Sequence, residues 1–287
     1  MKWLQRIETG WSRRNVERSG ALGEAEGRQP VCIITGASEG IGRYLANEFA
    51  QAGHRLLLIA RSGGALENAA TELRRDYDAQ VFTVAIDLTA PGCLERIEAA
   101  LQENGLYADV LVNNAAFGLG GLFAEQAPDR LEDLCRLNME ILTLLTRAYL
   151  PAMLARARGG VLNVASLGGL LPGPYQAAYY ASKAYVVSLT EALAHENAGR
   201  GVRISAAAPG PVATRFHERM GASSALYLTL QRVMPAEDAA RIIYSGYAGR
   251  RTIIVPGLLA SFNAFAVRYI PHIILVPFIG WFLKRRY

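Results

Sequence analysis

The stretch TGASEGIG, Thr35 to Gly42, stands between the apolar run VCIIT (Val31 to Thr35) and a helical pattern from Ile41 to Ala52. Glycines in such a turn let the backbone bend sharply and bring its N–H groups close to a ligand. The helix behind them directs the positive end of its dipole at the same place. That chemistry suits a pyrophosphate. A glycine-rich turn alone also serves ordinary tight turns, so its weight comes from its place at the head of a strand–helix alternation.

Outward from this turn, short apolar runs alternate with longer helical ones. VCIIT, RLLLIA, VFTVAI, DVLV, GVLNVA, VRISAAA and TIIV read as buried strands. Helices are predicted near Ile41 to Ala52, Ala65 to Asp76, Gly92 to Asn104, Leu131 to Arg156, Ala177 to Asn197 and Ala236 to Ala248. The alternation predicts βαβ units and one doubly wound α/β domain, a parallel sheet of about seven strands with helices on both faces. Its bounds fall at residues 30–257, after an N-terminal arm of residues 1–29 and before a hydrophobic extension of residues 258–287.

Composition narrows the class. At 287 residues, 51% hydrophobic and 19% charged, the chain has enough apolar material for a full core. Its formal charge of +5 is spread over pairs such as Arg74–Arg75 and Arg250–Arg251, the pattern of solvated faces rather than of a nucleic-acid surface. Cys32, Cys93 and Cys135 lack CxxC spacing, and His54, His195, His217 and His272 are scattered, so neither a disulfide framework nor a metal site is expected. A reducing compartment, the cytoplasm, follows. The arm carries Trp3, Leu4, Ile7 and Trp11 at helical spacing but no long apolar core of a signal peptide, and RSGALGEAEGRQP after it reads as flexible.

The cofactor type is read at the end of the second strand. An Asp or Glu there would bind the ribose hydroxyls of NAD. This chain has Arg61 and Ser62 instead, a guanidinium and a hydroxyl suited to the 2′-phosphate of NADP. Glu39, inside the glycine turn, argues mildly the other way. NADP is favoured and NAD stays open.

Several motifs in a fixed order carry a resemblance. TGASEGIG, Asp87–Leu88 after the third strand, NNAA at Asn113 to Ala116, Asn138 in RLNME, Ser166 in NVASLGG, Tyr179-x-x-x-Lys183 and PGPVAT at Pro209 to Thr214 resemble the short-chain dehydrogenase/reductase family, over about Val31 to Pro256. One departure is NNAA where the family usually has NNAG. The resemblance implies a Rossmann-like fold and an NAD(P)-dependent oxidoreductase that transfers hydride between nicotinamide and a carbonyl or secondary alcohol. It implies that Gly36, Ser38, Glu39, Gly40, Ile41 and Gly42 form the pyrophosphate turn, and that Asp87 contacts the adenine with Leu88 beside it. Asn114, Ala115 and Ala116 would lie along the cofactor. Pro209, Gly210 and Val212 would frame the nicotinamide, with Thr214 near its carboxamide or pyrophosphate end.

YYASK, Tyr179 to Lys183, holds two tyrosines within reach of one lysine on a helix, since separations of three and four both bring side chains together. Geometry leaves the two open, and the family spacing selects Tyr179 as acid/base. A free phenol, with pKa about 10, is a poor base near neutrality, and a nearby ammonium is expected to lower it. The resemblance further implies Ser166 as binder of the substrate oxygen, Lys183 as ribose ligand and tuner of Tyr179, and Asn138 as support for a proton relay. It also implies a homodimer or homotetramer through the two long helices. A regulatory or scaffold protein that keeps the fold without turnover is the alternative, against which the intact set of four argues.

The substrate reading rests on lining residues. Phe117, Leu119, Leu122, Phe123, Phe216, Met220, Leu226, Tyr227, Leu228 and Met234 flank the expected nicotinamide, so an apolar, lipid-like ketone or alcohol fits better than a sugar or an acid. Beyond them, Tyr269 to Leu283 is uncharged but shorter than a spanning helix and contains Pro271 and Pro277. With Trp281, Phe282 and the basic Lys284 to Arg286, it reads either as a peripheral membrane-surface anchor or as an extension packed over the cleft or a partner subunit.

Overall fold

The computed structural model describes residues 27–220, 233–257 and 270–284. Residues 1–26 of the predicted arm and the residues Leu226, Tyr227 and Leu228 lie outside the described residues, and the arm's last residue, Gln29, belongs to the first strand. In chain order the core elements are β1 (Gln29–Thr35), α1 (Gly40–Gln51), β2 (Arg55–Ala60), α2 (Gly63–Tyr77), β3 (Val81–Ala85), α3 (Cys93–Glu103) and β4 (Leu106–Asn113). There follow α4 (Pro128–Cys135), a π-helical turn (Arg136–Ile141), α5 (Leu142–Ala155), β5 (Gly160–Val164), α6 (Ala177–Glu196) and β6 (Arg203–Ala207). The last part contains β7 (Val212–Ala213), α7 (Phe216–Arg219), β8 (Met234–Pro235), α8 (Ala236–Ala248), β9 (Ile253–Ile254) and α9 (His272–Leu283).

Seven strands make one parallel sheet in the order β3-β2-β1-β4-β5-β6-β9. Period-two alternation explains why each strand reads as an unbroken apolar run. Cys32 and Ile34 of β1, with Leu56 and Leu58 of β2, enter one core with Leu45 and Phe49 of α1 and Ile243 and Tyr247 of α8. Val31 and Ile33, with Leu57 and Ile59, enter the opposite core with Ile97 of α3 and Leu145 and Tyr149 of α5. Both faces are covered, so most strand positions are apolar. Each such aliphatic side chain contributes about 1.5–3 kcal/mol on burial.

The seven strand predictions match this sheet. Two local features differ from the sequence reading. Leu131 to Arg156 reads as one helix, whereas the segment begins at Pro128 and is interrupted by the π turn, with Asn138 inside it and 2% exposed. Pro128 fits the first turn because the N–H it lacks has no helical partner there. A small parallel pair, β7 with β8, also forms outside the main sheet, too short to leave a periodic signal.

Chain order reverses at β1: one half of the sheet grows through β2 to β3, the other through β4 outward. Between β1 and β4 the crossovers leave to opposite sides, which opens a crevice at the strands' carboxyl ends. No described helix is long and apolar enough to cross a membrane.

Candidate active site

A cleft of about 1340 Å³ occupies that crevice and runs from the glycine turn to α9. Its first half is built from backbone. Gly36 and Gly40 have φ of +65° and +60°, the left-handed region that favours glycine. A Cβ on Gly42 would lie 2.3 Å from Asn114 Nδ2 and 2.4 Å from Gly36 O, so only glycine lets α1 approach the turn this closely. Asn114 Nδ2 donates to Thr35 O at 2.9 Å and Gly36 O at 3.1 Å, while Asn114 N and Ala115 N both donate to Thr35 Oγ1 at 3.0 Å. The NNAA segment therefore clamps the glycine turn in shape. Below it Asn113 Nδ2 donates to Thr146 Oγ1 at 3.1 Å and Asn163 Oδ1 at 2.9 Å, and Asn163 Nδ2 to Thr190 Oγ1 at 2.9 Å, a buried polar ladder across β4, β5 and α6.

α1 has no acidic residue in its first turn, and its N-cap residue Glu39 makes no side-chain bond to the helix. Glu39 is instead ion-paired with Arg219 of α7, whose second nitrogen donates to Glu39 Oε2 at 3.0 Å. The uncapped N–H groups and the dipole at this end suit an anion. Ser38, Ile41, Arg61, Ser62, Asp87, Leu88, Ala115, Ala116, Pro209, Gly210, Val212 and Thr214 line the same cleft. Burial pushes the Asp87 carboxyl up, but the N–H and hydroxyl of Thr89 and the charge of Arg61 outweigh it and hold Asp87 below its ordinary value. Arg219 left no trace in any sequence motif. The cradle fits a dinucleotide with a charged phosphate end, by the space that Gly36, Gly40 and Gly42 leave and by the donors around it.

The second half collects the polar residues singled out from the sequence. Ser166 follows β5 and its Oγ accepts from Gly168 N at 3.1 Å. Tyr179 lines the cleft together with Ser166, whose hydroxyl bears on the phenol, and is 8% exposed. Lys183, one turn on, lies with Nζ 5.8 Å from the centre of the Tyr179 ring and donates to Val164 O at 2.8 Å. Tyr180 lines the same cleft but against other neighbours: Cβ atoms on Gly173 and Gly168 would lie 2.3 Å and 3.2 Å from its ring. The two tyrosines thus differ in their neighbours, and Tyr179 has both Ser166 and Lys183.

Burial dominates the electrostatics. Desolvation pushes the Tyr179 phenol up to about 12, against a smaller downward pull from the Ser166 hydrogen bond. Desolvation also lowers Lys183 from 10.5 to about 8. Desolvation outweighs any lowering of Tyr179 by Lys183, whose Nζ donates to Val164 O. Tyr179 is a protonated phenol at neutral pH.

Asn138 ties the halves together. Phe117 N donates to its Oδ1 at 3.2 Å, and its Nδ2 donates to Phe117 O at 2.9 Å and Ser182 Oγ at 3.1 Å, while Ser182 Oγ donates to Tyr179 O at 2.7 Å. Both amide N–H groups are spent on protein. Any relay at this position uses other atoms.

The far wall is apolar. Tyr179, Met220, Leu134 and Leu283 form a buried cluster with Phe117, Leu119, Phe216, Ile279 and Phe282 around it. α9 supplies Leu283, Ile279 and Phe282, so the C-terminal helix roofs the cleft. Phe216 packs 5.3 Å from the Tyr179 ring, and Gly120 N donates to Met220 O at 3.0 Å, joining the two segments predicted to flank the site.

A glycine turn clamped at the switch point of a parallel sheet, with Ser166, Tyr179 and Lys183 at its mouth, defines a Rossmann-like dinucleotide-binding protein. The chain belongs to the short chain dehydrogenase family, whose match covers residues 30–224. It is 32% identical over 190 residues to the very-long-chain 3-oxoacyl-CoA reductase of Bos taurus, covering 64% of this chain and 60% of that protein. It is 38% identical over 196 residues to the protein named ketoacyl reductase 1 of the granaticin polyketide synthase in Streptomyces violaceoruber, covering 67% of this chain and 71% of that protein. The chain thus spans about 60% of the length of the first of these relatives. Among solved structures, a short-chain dehydrogenase from Sphingobium yanoikuyae in complex with NADPH matches with TM-score 0.75 and 31% identity over 84% of this chain and 93% of that one. A family member from Burkholderia phymatum in complex with NAD matches with TM-score 0.74 and 28% identity over 88% and 96%.

Proposed function

We propose that residues 30–257, roofed by α9, form an NADP(H)-preferring reductase of apolar, lipid-like ketones. The observation that carries this reading is that Ser166, Tyr179 and Lys183 meet in one cleft at the border between a glycine-built cradle and an apolar chamber. A bound nicotinamide dinucleotide supplies the hydride. Tyr179 donates its proton to the carbonyl oxygen, a step worth about 10²- to 10⁴-fold, and Ser166 donates a hydrogen bond to the same oxygen as charge develops on it. Lys183 binds the ribose, and Asn138 positions Tyr179 through Ser182.

Burial keeps Tyr179 proton-loaded, the form in which it acts as the acid of carbonyl reduction. The relatives named reductases agree with that direction. Arg61 and Ser62 favour NADPH, and Arg219 neutralises Glu39, the one carboxylate that spoke against a 2′-phosphate. Leu144 and Tyr185 project from α5 and α6 at 41% and 38% exposure, which favours a homodimer or homotetramer through those helices.

The test is oxidation of NADPH, with NADH in parallel, against water-soluble and lipid-like ketones by wild type, Tyr179→Phe and Tyr180→Phe. Loss of at least 100-fold in Tyr179→Phe alone is expected. Turnover that survives in Tyr179→Phe and disappears in Tyr180→Phe reverses the assignment. Tight NADPH binding without turnover on any ketone supports the regulatory alternative instead.

A further inference from the structure

α9 has two faces and both are apolar. Leu275, Ile279, Phe282 and Leu283 recur at helical spacing and close over the cleft, with Leu275 and Leu283 at 3% and 4% exposure. On the other side Ile273, Ile274 and Trp281 stand 84%, 63% and 58% exposed, and Phe278, which also edges the cleft, is 56% exposed. An ordinary surface helix places charged and polar side chains on that outer stripe. Here none of its positions between Ile273 and Trp281 is charged.

The apolar surface extends past the helix. Pro174 lies against Gly280, where an added Cβ would be 3.4 Å away, and Gly121 N donates to the O of the next residue, Tyr175, at 2.8 Å. This carries the patch to the adjoining loop, where Leu122 and Phe123 are 52% and 59% exposed. Ile270 borders α9 at 38%. Among the described residues, the large exposed hydrophobics therefore concentrate around the mouth of one cleft, and contiguous apolar surface of this kind marks a contact site.

We propose that this face docks on an anionic lipid bilayer, with α9 lying in the plane of the interface. Charge selects the occupant. From Gly257 to Tyr287 the sequence contains no Asp or Glu, and it contains Arg268, Lys284, Arg285 and Arg286. Cations directly after an apolar, Trp-bearing helix meet anionic headgroups while the outer stripe enters the acyl boundary. A second copy of the same face would bring like cations together, with no carboxylate in the segment to answer them. Glu125 and Asp129, beside Leu122 and Phe123, oppose an anionic surface, so the attraction resides at the α9 end and the loop contributes apolar contact. Docking places the cleft mouth at the lipid boundary, so that an apolar ketone enters α9's inner face out of the bilayer. This last consequence rests on the reductase reading, whereas the docking itself does not.

The experiment is sedimentation of the full chain with vesicles of phosphatidylcholine containing phosphatidylglycerol, and with phosphatidylcholine alone, at low and high salt. Wild type is expected on the anionic vesicles, several-fold less at high salt. Ile273→Gln/Ile274→Gln/Trp281→Gln, which spares every cleft-lining residue, is expected to bind about 100-fold more weakly. Its thermal melt and its reduction of a water-soluble ketone should match wild type. Lys284→Glu/Arg285→Glu/Arg286→Glu should lose the preference for anionic lipid. Wild type that stays in the supernatant, or a triple glutamine variant that sediments as wild type does, overturns the proposal. So does a wild-type oligomer that ignores vesicles and dissociates in the glutamine variant, which would assign the face to a second copy. Absence of ketone turnover in every sample would count against the reductase reading and leave the vesicle result to decide docking.

Discussion

Lys183→Met is expected to stabilise the fold while abolishing turnover. The ammonium is 3% exposed, donates to Val164 O at 2.8 Å, and is lowered by burial from 10.5 to about 8. That gap of about 2.5 pH units corresponds to roughly 3 kcal/mol. The sign follows from proton counts. The unfolded chain keeps this proton up to about 10.5 and the folded chain releases it near 8, so the unfolded state binds more protons in between and wild-type stability rises with pH there. Below about pH 8 the whole cost of burying the charge is present. Met fills a similar volume without charge, at the loss of a hydrogen bond worth about 1 kcal/mol. The variant should therefore be about 2 kcal/mol more stable than wild type at pH 7, with the advantage vanishing or reversing towards pH 10. Urea titrations of the cofactor-free proteins at both pH values, followed by circular dichroism, measure this. A variant no more stable than wild type at pH 7, or a difference that does not change between the two pH values, would refute the reasoning. A buried charge that destabilises the fold it sits in is a sign of function.

Two further outcomes follow from the site. Arg61→Ala should raise the KM for NADPH about 10- to 100-fold and leave that for NADH nearly unchanged, since only the former offers a 2′-phosphate to the guanidinium; equal losses for both cofactors would remove Arg61 from that role. Asn138→Ala leaves Phe117 N, Phe117 O and Ser182 Oγ short of their partner, and should cost about 2–4 kcal/mol in urea stability together with a fall in turnover; an Ala variant as stable as wild type would mean that the π turn holds its shape by backbone alone.

Much of this was legible before folding because it is local. A strand covered on both faces is apolar at most positions, so the seven strands could be found by inspection, and TGASEGIG between the first strand and its helix located the cradle. Tyr179, Lys183 and Ser166 could be proposed from spacing and resemblance. Other features depend on residues far apart in the chain. Arg219 reaches Glu39 across 180 positions, and nothing near either residue announces the pair. Asn114 could be placed beside the cofactor, but its clamp on Thr35 and Gly36 appears only when β1 and β4 become neighbours. Local periodicity also could not show the π turn at Asn138, since one wider turn barely disturbs a helical pattern.

The sequence by itself determined the parallel α/β plan, the glycine cradle and the polar residues at the strand ends, because backbone conformation and face-by-face burial are imposed by neighbours in the chain. Only the tertiary structure gave Tyr179 and Tyr180 different neighbours, raised rather than lowered the Tyr179 pKa, and brought one face of α9 over the cleft while leaving the other exposed. Those outcomes depend on desolvation and on which distant surfaces meet, and neither is encoded in any single stretch of residues.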